Sequence, residues 1–361
     1  MFKNFDQNAK TVIDCQNGIM SAIVAQRPYV LVFKTTNWCW NNCAHCCESS
    51  GSNNPKTFIP KSVINDYVAQ ATQDPLFSRE IVFTGGEIMS AYKFVDEYYV
   101  SDILNHAMDK KLGVDIKTNA GWTVTPLASR VYRDIENVVK RCAPAGAASN
   151  PFKTLVPFQV SLSLDRFHKD AMERNFRFLE HFANADMNGA TFTAHISSFA
   201  SDDAMISELI KKLQNAGVEV CELMSVASDN KTMRNNNLLS LNNNLIVKYS
   251  NNAKLFNGGR AKDISGAFHT PLPQFTFATS DFHILTAFDS YGNVTLGENC
   301  GKKISVPWRD KNGFTRPMTD VRDDLIAATR GAEQEYLGQH RFLNWYFNMI
   351  RKHIIAGQDT K

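Results

Sequence analysis

No stretch of this 361-residue chain reaches the roughly 18 apolar residues that a transmembrane helix needs. Its start, MFKNFDQNAKTVIDCQNGIM, lacks the basic region, apolar run and small-residue cleavage site of a signal peptide. Both absences predict a cytoplasmic protein with no membrane partner. An excess of one charge is also missing. Lys+Arg of 39 against Asp+Glu of 36 leave +3, too even for a chain whose main partner is a nucleic-acid backbone. With 43% hydrophobic and 21% charged residues, wholesale disorder and fibrous composition are excluded as well. Cysteine is too sparse for a disulfide scaffold, at eight in all. Yet Cys39, Cys43, Cys46 and Cys47 fall within nine positions, and such crowding points to metal binding.

What the chain does contain is a repeated alternation of strand-like and helix-like patterns. Strand-length apolar runs occur at Tyr29–Thr36, Glu80–Gly86, Leu112–Asn119, Pro157–Asp165, Thr191–Ser198 and Val218–Ser225. Amphipathic stretches at Lys61–Gln73, Phe94–Lys111, Leu127–Cys142, Lys169–Ala185 and Asp203–Ala216 fit the crossover helices that parallel strands require. Alternate residues of a strand face opposite sides of its sheet. In the fourth run Phe158, Val160, Leu162 and Leu164 therefore oppose Gln159, Ser161, Ser163 and Asp165. The fifth opposes Phe192, Ala194 and Ile196 to Thr193, His195 and Ser197, and the third lines up Asp115, Lys117 and Asn119. Polar inner faces predict a wet lumen rather than the apolar centre of a closed eight-stranded barrel. The expected fold class is α/β, a partial (β/α)6 barrel.

The barrel is expected over residues 29–228, after an N-terminal segment 1–28. An Asn-rich connecting stretch, Asp229–Asn257, carrying one short helix or strand, opens a C-terminal extension over 229–361 that covers the substrate. Within it, Phe282–Leu296 reads as a hairpin turning at Ser290–Asn293, and Tyr336–Ile354 as a long helix.

Cys39-x3-Cys43-x2-Cys46 follows the first strand in the text TTNWCWNNCAHC. Three thiolates can hold three irons of a cubane cluster and leave the fourth iron to a non-protein ligand. The competing reading is zinc on Cys39, Cys43 and Cys46 with His45 or Cys47, but no second CxxC pair completes it. TTNWCWNNCAHC resembles the CxxxCxΦC motif of the radical S-adenosylmethionine (radical SAM) superfamily, at the place it holds in that fold. Thr84-Gly85-Gly86-Glu87 is similar to that family's GGE motif. SLSLDRFHKDAMER resembles the Ser-x-Asp…His…Arg pattern of its peptide-modifying members. The resemblance spans Tyr29 to Ser225.

That resemblance implies a 4Fe-4S cluster on Cys39, Cys43 and Cys46, with S-adenosyl-L-methionine as the second cofactor. His45 would lie near the adenine, and Gly85, Gly86 and Glu87 would hold the methionine amino group. Ser163 and Arg174 would contact the methionine carboxylate, Asp165 would close the strand end, and Asn119 stands where relatives have Thr-Asn-Gly. His195 is a candidate substrate or ribose contact. Gly258-Gly259-Arg260-Ala261 resembles a GRA element found before the family's SPASM and twitch extensions, and DSYGNVTLGENC resembles their entry hairpin. The usual auxiliary-cluster cysteines are absent, since only Cys300 follows Cys221. Cys300 is then a candidate hydrogen-atom donor to a substrate radical, or a buried small hydrophobe.

The implied activity is reductive cleavage of S-adenosylmethionine to a 5′-deoxyadenosyl radical that abstracts hydrogen from a substrate. The first expectation for that substrate is a ribosomally made peptide, modified by crosslinking or epimerisation. A small metabolite, sugar or nucleotide is the alternative, and a non-catalytic iron-sulfur or zinc protein a third. A low-potential donor such as flavodoxin or ferredoxin would supply the electron.

Overall fold

The computed structural model describes residues 28–143, 154–225, 237–250, 260, 284–296 and 305–336. The first five strands are β1 (Tyr29–Thr36), β2 (Phe77–Gly85), β3 (Gly113–Thr118), β4 (Thr154–Ser163) and β5 (Ala190–Ser197). They pair in parallel, each with the next. Between them run α1 (Lys61–Ala71), the short α2 (Ala91–Phe94), α3 (Tyr99–Asp109), α4 (Ala128–Cys142) and α5 (Ala171–Asn184). After β5 come α6 (Asp203–Asn215), β6 (Val220–Ser225), β7 (Asn237–Leu241), β8 (Leu245–Ser250), β9 (Ile284–Asp289), β10 (Asn293–Leu296), β11 (Ser305–Pro307) and α7 (Met318–Tyr336). None of the described helices is long and apolar enough to cross a membrane.

All these strands form one sheet in the order β11-β10-β9-β1-β2-β3-β4-β5-β8-β7-β6. Among the described residues the sheet therefore has two ends, and closure into a barrel is not part of the observed pairing. The six strands and the five helices between them fall where the sequence pattern sets them, with one correction. Val220–Ser225 does not take the place beside β5. That place belongs to β8, parallel to β5, while β6 lies at the edge, antiparallel to β7. The cause is a hairpin inside the Asn-rich stretch. Asn242 and Asn243 have φ of 46° and 54°, the left-handed region that asparagine tolerates, and they turn β7 back into β8 with Leu241 opposite Leu245. Asn244 Nδ2 then donates to the carbonyls of Ala183 and Ala185, pinning the turn to the end of α5.

On the other flank the expected hairpin is present as β9 and β10, with Val294 opposite Phe288. β9 pairs in parallel with β1. Helix α7 sits beside α1, and the Tyr67 hydroxyl donates to the carbonyls of Trp308 and Arg316. Tyr336 ends α7, and the rest of the expected helix Tyr336–Ile354 lies outside the described residues, as do residues 1–27 and Cys300.

The helix-covered face of the sheet is apolar. Phe33, Phe83, Phe158, Phe192 and Phe288 are fully buried there with Phe178 and Phe182 of α5, and each contributes roughly 1.5–3 kcal/mol by leaving water. The other face is built in transverse rows by the strand register. Its floor is a small apolar cluster of Val30, Val32 and Ala287 with Val82 against it. One pleat pair further on, Lys34 aligns with Thr84 and Asp289, and Lys117 with Ser161, His195 and Lys248. The polar inner face anticipated from alternation is thus present on β3, β4 and β5.

Candidate metal and cofactor centre

The carboxyl ends of parallel strands are where open α/β sheets bind ligands, and here β1 ends in the cysteine loop. Close backbone contact fixes the loop's root. The Gly86 amide donates to the Thr36 carbonyl at 2.6 Å and the Glu87 amide to the Trp38 carbonyl at 2.9 Å. Gly85 has φ of +109°, and a Cβ there would lie 2.5 Å from the Thr36 carbonyl oxygen; one on Gly86 would press into the Trp38 carbonyl. Only glycine allows the β2 end to pass this near. Further along, the Cys39 amide donates to the Gly51 carbonyl at 3.2 Å, and Trp38 packs edge-on to Trp40 and Phe94.

A second brace comes from far down the chain. The Arg260 amide donates to the Cys46 carbonyl at 3.0 Å, its Nε to the Cys43 carbonyl at 2.9 Å and its Nη2 to the Ser50 carbonyl at 2.6 Å. One guanidinium and one amide thereby satisfy three carbonyls of the loop.

The cysteine sulfurs are hydrogen-bond acceptors. Cys39 Sγ receives the Asn119 side-chain amide at 3.3 Å and the Asn41 amide at 3.4 Å, and Cys46 Sγ receives the Ser50 amide at 3.3 Å. Such donors favour thiolate ligands and tune the metal they hold. In the metal-free chain burial pushes the Cys39 thiol up to about 12, with the Glu87 charge adding to the rise.

Asn119 is itself held tightly. Its Oδ1 accepts from the Trp40 indole at 3.2 Å and the Gly121 amide at 2.8 Å, while its own amide donates to Glu87. Glu87, fully buried, also accepts from the Thr118 hydroxyl and the Met89 amide. Burial pushes its carboxyl up to about 7 against the pull of these donors. Ala120, in the place of the missing turn glycine, adopts a left-handed φ of 53°.

The β4 end supplies the other wall. Asp165 accepts the Phe167 and His168 amides and the His168 Nδ1 at 2.9 Å, so it closes the strand end as a local cap. His45 Nε2 lies 3.8 Å from the same carboxylate, its ring stacked on Phe167 and edge-on to His168 and Phe199. Burial drives His45 down to about 4. On His168 burial acts in the same direction, but the Asp165 hydrogen bond and the Cys43 thiol lift it to about 9. Burial alone would raise Asp165; the His168 hydrogen bond and charge hold it below the usual range.

Arg174, buried on α5, donates from Nη1 to Asn41 Oδ1 at 3.4 Å, leaving its Nε, Asn41 Nδ2 and His45 Nδ1 buried without a partner. Orphaned buried polar atoms are rare in folded proteins. The unpaired Asn41 Nδ2 beside the Arg174 guanidinium suits a carboxylate.

The structure thus brings Cys39, Cys43, Cys46, His45, Gly85, Gly86, Glu87, Asn119, Asp165 and Arg174 to one end of the sheet. Ser163 is the last residue of β4, its carbonyl accepting from Asn175 Nδ2. His195 stands one row deeper, 3.2 Å from Ser250 Oγ. Sequence reasoning passed over Asn41 and Trp40, and it gave His168 no role although it stands in the Ser-x-Asp…His…Arg text. The signal for His168 was its place three residues after Asp165, where a turn returns it to that carboxylate.

No family model matches this chain and no curated protein matches it. Among solved structures it is similar to SuiB of Streptococcus suis, with 12% identity and a TM-score of 0.41 over 74% of this chain and 60% of that one. SuiB bound to its precursor peptide SuiA gives 12% identity and 0.37 over 84% and 67%. The anSMEcpe structure with bound AdoMet gives 14% and 0.30 over 53% and 49%. The chain spans about 60% of the length of the SuiB chain it matches.

Proposed function

We propose that this chain is a radical SAM enzyme, with a 4Fe-4S cluster on Cys39, Cys43 and Cys46 and S-adenosylmethionine bound beside it. The carrying observation is the set of N–H donors trained on the cysteine sulfurs, next to the orphaned Asn41 Nδ2, His45 Nδ1 and Arg174 Nε. Among the described residues the three cysteine sulfurs do not form a group within 4.8 Å of one another. One tetrahedral zinc with Zn–S near 2.3 Å would need every sulfur pair about 3.8 Å apart. The trio therefore suits a cluster better than a single ion.

The cluster and S-adenosylmethionine supply one-electron cleavage of a sulfonium and a 5′-deoxyadenosyl radical. The protein's part is to hold and orient. Arg174 and Asn41 present donors to the methionine carboxylate, with Ser163 at the adjoining strand end. His45, packed on Phe167 and Phe199, offers a flat surface to the adenine. Glu87 braces Thr118 and Asn119 and so aims the Asn119 amide at Cys39, while the Gly85-Gly86 backbone is left to face the methionine amino group. On the inner face, His195 stands one row below, held to Ser250 of the Ser163–Ser197 row, and would meet the substrate above the dry floor of Val30, Val32 and Ala287. The substrate we assign is a ribosomally made peptide, on the likeness of SLSLDRFHKDAMER to peptide-modifying members; a low-potential flavodoxin or ferredoxin would reduce the cluster.

Anaerobic reconstitution followed by iron and sulfide analysis tests the ligand set. Wild type and Cys47→Ala should hold the cluster, and Cys39→Ala, Cys43→Ala and Cys46→Ala should each lose it. Loss in Cys47→Ala, or retention in any of the other three, contradicts the assignment.

A further inference from the structure

Glu87 caps the turn Ile88–Ser90, its carboxylate accepting the Met89 amide at 3.2 Å and its carbonyl the Ser90 hydroxyl at 2.6 Å. That turn leads directly into α2, whose last residue is Phe94. The Phe94 ring meets the Trp38 ring edge-on with centroids 4.6 Å apart, and Trp38 immediately precedes Cys39 in the chain. Trp38 is held at both ends. Its carbonyl takes the Glu87 amide at 2.9 Å, and its indole donates to the Ser52 carbonyl at 3.2 Å. A half-buried ring at the surface thus lies one aromatic contact from the residue bonded to Cys39.

Two exposed cations flank that ring. Lys56 Nζ lies 4.5 Å and Lys93 Nζ 5.4 Å from its centre, within cation–π reach. The charges around them are already matched. Lys61 pairs with Asp96 at 3.3 Å and Asp102 at 2.6 Å, and Arg130 with Glu97 at 2.9 Å. Lys56 and Lys93 pair with no carboxylate among the described residues, so their charge faces solvent unmet. Val95, next in the chain, is 44% exposed. We infer that the face carrying Lys56, Lys93, Phe94 and Val95 is the docking surface for a small acidic electron-carrier protein.

Charge and distance both favour this partner. A carrier ringed by carboxylates is drawn to unmatched lysines, and such steering raises the encounter rate more than the affinity. Electron-transfer partners meet over small faces, below about 1,200 Å² in total, so an apolar centre between two cations suffices. Tunnelling decays exponentially with distance, and the packing of Phe94 on Trp38 puts this face beside Cys39. The carrier's reduced flavin gives up one electron and the cluster gains it, with no bond made or broken. That transfer rests on the function proposed above, whereas docking needs only the lysine face.

The probe is an acidic flavodoxin. Stopped-flow mixing of its reduced form with the anaerobically reconstituted full-length chain should give a rate that falls as salt rises. Lys56→Glu/Lys93→Glu should slow that rate at least about tenfold at low salt. Lys110→Glu/Lys111→Glu is the control for net charge, because these exposed lysines precede β3 at the opposite end of the sheet, and it should match wild type. Dithionite, a small reductant that needs no docking, should reduce all three chains equally fast. Calorimetry of oxidised flavodoxin with the iron-free chain should show binding that Lys56→Glu/Lys93→Glu alone loses. Flavodoxin that neither binds nor reduces wild type, a salt-independent wild-type rate, or a wild-type rate in Lys56→Glu/Lys93→Glu overturns the surface. So does equal slowing in Lys110→Glu/Lys111→Glu or with dithionite. Lysine-dependent flavodoxin binding by a chain that never assembles a cluster would contradict the proposed function and leave this surface standing.

Discussion

Replacing Gly86 with alanine is the sharpest test of how the cysteine loop is held. The added Cβ would press into the Trp38 carbonyl, whose carbon would be 2.6 Å away, and a backbone carbonyl cannot swing aside as a side chain can. The β2 end and the loop must part. That overpacking costs about 1–3 kcal/mol. Parting also breaks the bonds from the Gly86 amide to Thr36 and from the Glu87 amide to Trp38, at about 1 kcal/mol each. The total of roughly 3–5 kcal/mol is a large fraction of the 5–15 kcal/mol that holds an ordinary domain. Gly217→Ala is the matched control. Gly217 has φ of +84° but nothing within 4 Å of its would-be Cβ, so only the backbone penalty of about 1–2 kcal/mol applies. Urea unfolding should show a markedly lower midpoint for Gly86→Ala than for Gly217→Ala, and only Gly86→Ala should lose reconstituted iron. Equal midpoints, or full iron content in Gly86→Ala, would refute the argument.

Glu87 predicts a pH dependence of stability. Burial raises its folded pKa from an ordinary value near 4.5 to about 7, so the native state binds more protons than the unfolded chain across that interval. Its contribution is fully present below about pH 4.5 and falls by about 3 kcal/mol as pH rises through 7. Glu87→Gln should flatten this part of the wild-type profile in urea melts, and parallel profiles would sink the idea. Arg174→Ala removes the donor fork and should weaken S-adenosylmethionine binding by roughly ten- to a hundred-fold, for a loss of about 1.5–3 kcal/mol. Calorimetric affinity equal to wild type would exclude Arg174 from the carboxylate site.

Much of the molecule was legible because its signals are local. β1 runs over Tyr29–Thr36 as the apolar run reads, and the alternation in Phe158–Leu164 separates the buried face from the half-buried one. The cysteine loop was legible from spacing alone. What the sequence hid depends on partners far away in the chain. The place of β8 beside β5 is decided by an asparagine turn that composition presents as a linker. Helix α7 carries its buried Met318, Val321 and Leu325 at helical spacing, but the charged residues between them dilute the pattern. Arg260 reaches the cysteine loop from more than 200 positions away, and a lone GGR cannot announce that. Glu87 stood out as part of a motif, yet its brace on Asn119 is visible only once β2 and β3 lie side by side.

The central claim is that this site cleaves S-adenosylmethionine through a cluster on three named cysteines. Its most direct measurement is 5′-deoxyadenosine formed by the anaerobically reconstituted chain with S-adenosylmethionine and a low-potential reductant, followed by mass spectrometry. Wild type and Cys47→Ala should accumulate 5′-deoxyadenosine, and Cys46→Ala should form none. A wild-type chain that carries its full cluster and forms no 5′-deoxyadenosine, or a Cys46→Ala chain that still forms it, would exclude radical cleavage of S-adenosylmethionine at these three cysteines.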